Sequence, residues 1–179
     1  MRPTLLPALA SALLLLSVGP ARAEGTSVPD SNRADLKEAP PRPAVDSAQA
    51  DAKLLFEAIV HDDPARALAF FFPRDAFVLV KAMQKPERYY DKLRARFEQD
   101  IHALHARTPD LDKATFERLE ITKRGGWVKP GEEGNRLPYW AARHAWLHYR
   151  VGQEKRELEV RVLITWDDRW YVIHLNEFH

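Results

Sequence analysis

The sequence predicts an α+β fold in which N-terminal helices pack on a curved, four-stranded antiparallel meander sheet. Three observations predict it. Apolar residues recur at helical spacing in the first part of the chain, the alternation typical of strands follows, and two-residue turn motifs separate the last strands. The 179 residues contain no cysteine and are 45% hydrophobic. These values indicate a domain held by its apolar core without disulfides.

Residues 1–23 have the features of a secretory signal peptide. Arg2 gives a weakly positive start, residues 5–18 are mostly apolar, and Ala21-Arg22-Ala23 form a small-x-small cleavage site. The apolar stretch is short for a membrane span, and no later segment matches it. We therefore expect an exported protein, periplasmic or secreted, with no transmembrane segment in the mature chain.

Residues 24–45 are predicted to form a disordered, proline-rich linker. Pro29, Pro40, Pro41 and Pro43 lie among polar and charged residues, with few side chains to bury. Such a segment cannot offset the entropy lost when it becomes ordered. Residues 46–179 then form a single α+β domain.

Helices are predicted for the first half of that domain. A first helix has apolar residues at helical spacing from Ala48 to Ile59. Asp63 and Pro64 fit the N-cap and first position of a second, short helix. Pro86 opens the longest helix, whose apolar residues from Tyr90 to Leu104 follow the three-four spacing of one buried stripe.

Strands are predicted at 117–123, 138–151, 156–166 and 169–176. If Asp167-Asp168 is a two-residue turn, Ile164 lies opposite Tyr171 and Val162 opposite Ile173. A similar turn at Gly152-Gln153 places Leu147 opposite Leu158. All of these pairs are apolar, which indicates one face of the sheet covered by the helices.

The opposite, outer face has an unusual composition. It carries Trp140, His144, Trp146, Arg161, Trp170 and His174. Exposed aromatic patches mark interaction surfaces, and tryptophan and arginine are common interface anchors. We interpret this face first as a subunit interface that makes a homodimer, second as a platform for a small-molecule or protein ligand, and third as a surface covered by the linker or a terminus.

The inner face predicts a pocket between sheet and helices. The polar residues expected around it are Tyr89, Arg143, Tyr149 and Tyr171. Arg143 has the parity of the core face, so its charge needs a partner or a route to solvent. A cavity with a histidine or carboxylate beside Arg143 and the tyrosines would favour a small enzyme, whereas a filled core would exclude one.

Several classes of site are disfavoured. Arg161 would repel a cation from His144 and His174, and Glu98, His102 and His105 are spaced as on many helix surfaces. We assign no metal and no cofactor. The 27 basic residues balance 26 acidic ones, so nucleic acid is not an expected partner. No glycine-rich phosphate loop or nucleophile elbow is present in the sequence.

Two segments resemble the nuclear-transport-factor-2-like superfamily. The run from Phe56 to Pro73 places an aspartate turn between two helical segments, and the run from Trp166 to Leu175 places an acidic turn before a tryptophan strand. The resemblance implies a conical α+β fold, with a curved sheet around helices and often a dimer through its outer face. The catalytic aspartate–histidine pair of enzymatic members has no counterpart here, so no catalytic residue is assigned.

The expected function is therefore an exported, non-catalytic domain that binds a ligand or a protein, or that dimerises. The alternative is a small pocket enzyme of the isomerase or lyase type, with acid and base residues inside the cone of helices and sheet. Only the superfamily resemblance supports this alternative at the level of sequence.

Overall fold

The sheet and helices are seen in a computed structural model that describes residues 27–176. The predicted signal peptide lies outside these residues. The α+β prediction is confirmed. The α-helices are α1 (Gln49–Val60), α2 (Arg74–Val80) and α3 (Pro86–Arg107), and the strands are β1 (Ala114–Glu120), β2 (Gly125–Val128), β3 (Tyr139–Val151), β4 (Glu154–Trp166) and β5 (Arg169–His174).

The helices begin and end where local chemistry requires. The Asp63 carboxylate accepts a hydrogen bond from the Ala65 amide at 3.2 Å, and Pro64 is the first helical residue. The short helix that they start, Pro64–Phe70, has 3-10 geometry. The predicted stripe of α3 is buried from Tyr90 to Leu104. Within residues 27–176, no helix has both the length and the apolar character needed to cross a membrane.

The sheet is antiparallel, in the order β1-β3-β4-β5, and β2 also pairs with β3. Five strands are found among the described residues, against the four expected. β1 overlaps the first predicted strand, 117–123, and β2 is the additional strand. β1 pairs with the second half of β3 and β2 with its first half. Gly125 makes the close approach of β2 possible. Its φ is +112°, and a Cβ atom there would lie 2.3 Å from the Ala141 carbonyl oxygen.

The predicted register is confirmed for β3 against β4, where Leu147 pairs with Leu158, and for Ile164 against Tyr171. It is wrong at the end of β5. A register shift between Val162 and Leu163 makes His174, and not Ile173, the partner of Val162. A bulge inserts one residue, and a shift by one residue moves a side chain to the other face. His174 therefore lies on the inner face with Val162.

The inner face packs against the helices through aromatic contacts. The ring of Phe56 on α1 lies 5.2 Å from the ring of Tyr149, and Phe72 contacts Tyr171 at 5.9 Å. Phe72 also donates its amide to the Val172 carbonyl at 3.0 Å. The backbone around Phe72 therefore extends the sheet beyond β5.

Residues 29–44, here called the N-terminal strap, cross the outer face of the sheet. This differs from the disordered linker expected from composition. Asn32 is only 1% exposed. Its side-chain amide donates to the Pro138 carbonyl at 2.8 Å and accepts from the backbone amide of Asp167 at 3.1 Å. The prolines supply little apolar area, but specific hydrogen bonds to the sheet hold the segment in place.

Candidate functional site

A cavity of about 130 Å³ lies between the inner face of the sheet and helices α2 and α3. Its apolar wall consists of Phe77, Leu93, Val162, Ile164 and Ile173. Its polar wall consists of Lys81, Tyr89, Glu133, Tyr139, Arg143 and His174. At the volume per molecule of liquid water, the cavity has room for about four waters.

The charged residues and Tyr139 reach this cavity from four parts of the chain. Lys81 follows the last residue of α2, Arg143 and Tyr139 lie on β3, His174 ends β5, and Glu133 belongs to the loop between β2 and β3. Odd-numbered positions of β3 face inward, which explains why both of its polar residues point to the same space.

The loop between β2 and β3 is fastened to the end of α2. The guanidinium of Arg136 donates twice to the Lys81 carbonyl, at 2.6 and 3.0 Å. The Ala82 amide donates to the Gly134 carbonyl at 2.8 Å. These contacts bring the Glu133 carboxylate to the mouth of the cavity and fix it there.

A chain of hydrogen bonds connects the polar wall. Arg143 donates to one carboxylate oxygen of Glu133 at 2.7 Å, and the Tyr139 hydroxyl donates to the other at 3.2 Å. The Asn135 amide donates to the Tyr139 oxygen at 2.8 Å and accepts from the Lys81 ammonium at 2.6 Å. Glu133 is thus the partner that the charge of Arg143 requires.

Burial shifts the titration of these groups. The pKa of His174 is lowered, first by burial and then by the positive charges of Lys81 and Arg143, against an opposing effect of Asp100. Burial also lowers the pKa of Lys81, although Glu133 opposes it. Burial raises the pKa of Tyr139 far above its usual range. With His174 neutral, two cations face one carboxylate, so the cavity wall has an excess of positive charge.

The structure brings together only part of the predicted pocket. Tyr89 and Arg143 line the cavity, whereas Tyr149 and Tyr171 lie outside its wall and pack against phenylalanines. Sequence reasoning missed Lys81, Glu133 and Tyr139. Tyr139 could have been found from its parity with Arg143. The other two had no such signal, because only the folded loop carries them to the cavity.

The aromatic residues of the outer face are divided between two environments. Trp140 and Trp170 lie under the N-terminal strap, and Trp170 is 1% exposed. Linker cover was the third interpretation of this face, and these contacts agree with it. Trp146 remains half-buried between the strand neighbours Glu120 and Glu159.

Of the three residues His144, Arg161 and His174 predicted for the outer face, His174 is moved to the inner face by the shift in β5. His144 and Arg161 are neighbours, with the guanidinium 3.0 Å from His144 Nδ1. Glu159 pairs with both. The Glu159 carboxylate contacts Arg161 on its own strand and His144 on the neighbouring strand, while His174 faces the cavity on the other side of the sheet.

The histidines of α3 have local partners. His102 pairs with Asp62, and His105 Nδ1 lies 2.9 Å from the Ile59 carbonyl oxygen. Both contacts hold α3 against the end of α1. In the part of the chain that the structure describes, no group of three or more histidine, aspartate or glutamate side chains is placed to hold a metal ion.

Comparisons with known proteins add no relative to this geometry. The chain has no significant match to a protein-family model, to a curated protein or to a solved structure.

Proposed function

We propose that this protein is an exported binding protein that holds a small organic anion in the cavity between sheet and helices, without catalysing a reaction. One observation carries the proposal. Lys81, Arg143 and His174, which come from three separate elements, converge with Tyr89 on one enclosed space. Such convergence of polar groups in an otherwise apolar cavity is the usual design of a small-molecule site.

The charge of the wall favours an anion. Lys81 and Arg143 outnumber Glu133, and both are held by hydrogen bonds that fix their orientation. An ammonium can donate three hydrogen bonds, and Lys81 gives two of them to the loop, to Asn135 and to the Glu133 carbonyl. The third can go to a ligand carboxylate, in surroundings where low polarity strengthens the attraction.

The size and the apolar wall favour a short aliphatic acid. Pockets for drug-sized ligands measure roughly 300 to 1,000 Å³. At 130 Å³ this cavity is far smaller, and Leu93, Val162 and Ile173 line its apolar side. We infer a carboxylic acid of a few carbons, with its carboxylate toward Lys81 and its alkyl part toward these three residues.

Titration with acetate, propionate and butyrate tests this function, followed by calorimetry and by the NMR signals of His174. We expect saturable binding at one site and at least a tenfold weaker affinity in Lys81→Met. Lys92→Met is the matched control, because Lys92 is an exposed residue of α3 and does not line the cavity. A folded protein that binds none of the three acids would overturn the proposed function.

A second candidate is the small pocket enzyme, and the cavity meets part of the criterion set for it, since His174 and Glu133 lie beside Arg143 and Tyr89. His174, whose lowered pKa keeps it neutral near pH 7, lies with the Glu133 carboxylate in the same wall, and a neutral imidazole can accept a proton. An exchange experiment in D₂O distinguishes the enzyme from the binding protein. An enzyme would exchange an acidic C–H of a bound acid for deuterium, and His174→Gln would stop the exchange. Binding without exchange would support the binding protein.

Export and superfamily membership belong to the same proposal. The apolar stretch and small-x-small site of residues 1–23 support export. Helices lying against an antiparallel sheet, with a polar cavity between them, support a place in the nuclear-transport-factor-2-like superfamily. Mass spectrometry of the protein from the periplasm or medium tests export, and an N-terminus at Glu24 is expected. Full-length protein confined to the cytoplasm would contradict it.

The homodimer through the outer face also stays a prediction. Of the three tryptophans predicted for that face, Trp146, which is half-buried beside Glu120 and Glu159, is the one that lies outside the strap contacts described above. Light scattering of the purified protein is expected to give the mass of a dimer, and Trp146→Glu to give that of a monomer. A monomeric wild type would end this hypothesis.

A further inference from the structure

The N-terminal strap contains a segment that its sequence preorganises. Residues 39–44 read Ala-Pro-Pro-Arg-Pro-Ala. Proline fixes φ near −65°, and the residue before a proline is driven to extended conformations. The segment has neither helix nor strand structure, and Ala44 has φ −66° and ψ 148°, close to polyproline II. Little entropy is lost when such a segment docks.

Two tryptophans of the sheet hold this segment through its backbone. The indole N–H of Trp140 donates to the Pro40 carbonyl at 3.0 Å, and that of Trp170 donates to the Pro43 carbonyl at 3.0 Å. A polyproline II helix repeats every three residues. The carbonyls of residues 40 and 43 therefore lie on the same side, in line with the two indoles.

Arg42, between these two contacts, adds a third. Its guanidinium lies 5.2 Å from the centre of the Trp170 ring and donates to the Thr122 carbonyl at 3.0 Å. A cation over an indole face is attracted by the ring quadrupole. The outer face therefore also binds Arg42, the residue between the two carbonyl contacts.

The two indoles are fixed by the sheet. Thr165 on β4 pairs with Trp170 on β5, and its hydroxyl accepts from the Trp140 amide on β3 at 3.0 Å. One row across three strands therefore sets the spacing of the indoles. A surface whose spacing is fixed in advance selects ligands by their repeat.

We propose that Trp140 and Trp170 form a recognition site for proline-rich segments in the polyproline II conformation, occupied in this chain by its own residues 39–44. The occupant that it takes in trans is a proline-rich segment of a partner protein with the same pattern, in which prolines three residues apart flank an arginine. Grooves that bind polyproline II ligands are likewise lined by aromatic side chains.

Intramolecular occupation masks the site. A tethered segment acts at an effective concentration on the order of millimolar, and Asn32 anchors this one further along the sheet. A partner therefore binds only weakly until the strap is released. The site lies on the outer face, opposite the cavity, so the two can be tested independently.

The experiment uses the purified protein with the strap released by the triple substitution Pro40→Gly, Pro41→Gly and Pro43→Gly. The probe is a synthetic peptide with the natural sequence of residues 38–45, followed by the NMR signals of the indole N–H groups. We expect saturable binding that shifts the signals of Trp140 and Trp170. Binding to the wild type should be at least tenfold weaker.

Matched controls distinguish specific recognition of the peptide from non-specific binding. The same peptide with glycine for its three prolines should not bind the released protein. In the released background, Trp140→Phe should weaken binding by at least fivefold, and Trp146→Phe, on the same face outside the strap contacts, should not. The inference would be overturned if the released protein is folded and the natural peptide does not shift the indole signals of Trp140 and Trp170. The inference would also be overturned if the released protein associates with itself and the peptide does not compete with that association.

Hydrogen exchange keeps the inference testable if the triple variant does not fold. In the wild type, the indole N–H groups of Trp140 and Trp170 should exchange at least tenfold more slowly than that of Trp146. Pro43→Gly should increase the exchange rate of the Trp170 indole N–H more than that of Trp146. Equal exchange at all three indoles would show that the strap does not dock.

Discussion

The two faces of the sheet use polar residues in different ways. On the inner face, Lys81, Glu133, Arg143 and His174 surround a cavity of about 130 Å³. On the outer face, polar and charged groups pair with one another within and between strands, and the strap covers two tryptophans. An unusual composition alone therefore does not mark a ligand site. Fixed charges around an enclosed space are the stronger sign.

The difference also appears in the electrostatics. The outer pairs lie near water, where an ion pair adds little to stability. The inner groups are partly withdrawn from water, which lowers the pKa values of both Lys81 and His174. Four changes, two on each face, can break or sharpen this comparison.

The largest expected effect belongs to the strap. Asn32→Ala removes the hydrogen bonds to Pro138 and Asp167 and takes this partner from the carbonyl of the buried Pro138. We expect the free energy of unfolding to fall by about 2 kcal/mol, as measured by urea denaturation. Glu38→Ala, at an exposed strap position, is the control and should be neutral. Equal stability of the two variants would show that the strap adds nothing to the fold.

The second effect concerns the cavity. Val162→Phe places a larger ring in the cavity wall, so the affinity for propionate should fall at least tenfold, or about 1.4 kcal/mol. Leu158→Phe makes the same kind of change on the same strand outside the wall and should leave the affinity unchanged. Calorimetry measures both. Unchanged binding in Val162→Phe would place the ligand elsewhere.

The third effect is a pH dependence caused by His174. Its pKa is lower in the folded protein than in the unfolded chain, so the unfolded chain binds more protons just below pH 6.5. The free energy of unfolding therefore has its full value above that pH, where His174 is neutral in both states. It decreases as the pH falls toward the pKa of His174 in the folded protein. Because the ring is only partly buried, we expect about 1 kcal/mol or less between pH 7.5 and 5.5.

Urea denaturation at both pH values measures this dependence, and His174→Gln should reduce it. A protonated imidazole also adds positive charge to the cavity wall, so propionate should bind more tightly as the pH falls from 7.5 to 6. Identical pH slopes in wild type and variant would show that His174 titrates as it does in the unfolded chain.

The smallest effect is expected on the outer face. Glu120 pairs with Arg118 at 2.9 Å and with His148 at 3.1 Å, and its side chain is half exposed. Glu120→Gln should change the free energy of unfolding by about 0.5 kcal/mol or less. High salt should remove the change, since it screens exposed charges. A loss as large as that of Asn32→Ala would mean that the two faces do not differ as described.

Much of the fold could be predicted because it depends on local patterns. The stripe of α3, the cap at Asp63 and the pairing of β3 with β4 follow from spacing and turn residues. The bulge beside Val162 could not be predicted, since nothing in the local alternation indicates an extra residue. Because of that one shift, His174 lies at the cavity and not on the outer face, where it was predicted.

The candidate site was less predictable than the fold. Arg143 and Tyr89, two residues predicted for a pocket, both line the cavity, and the strand alternation places Arg143 on the inward face. Lys81 and Glu133 lie far apart in the sequence and meet only when the loop after β2 bonds to the end of α2. No periodicity could reveal that contact.

By itself, then, the sequence determined the succession of helices and strands, the apolar face of the sheet and the stiff conformation of Pro40 to Pro43, since each depends on neighbouring residues. The tertiary structure alone decided three things: where the strap lies, which face His174 occupies and which charge partners Arg143. The physical reason is distance along the chain. Each of these depends on pairing between segments that no short-range pattern specifies.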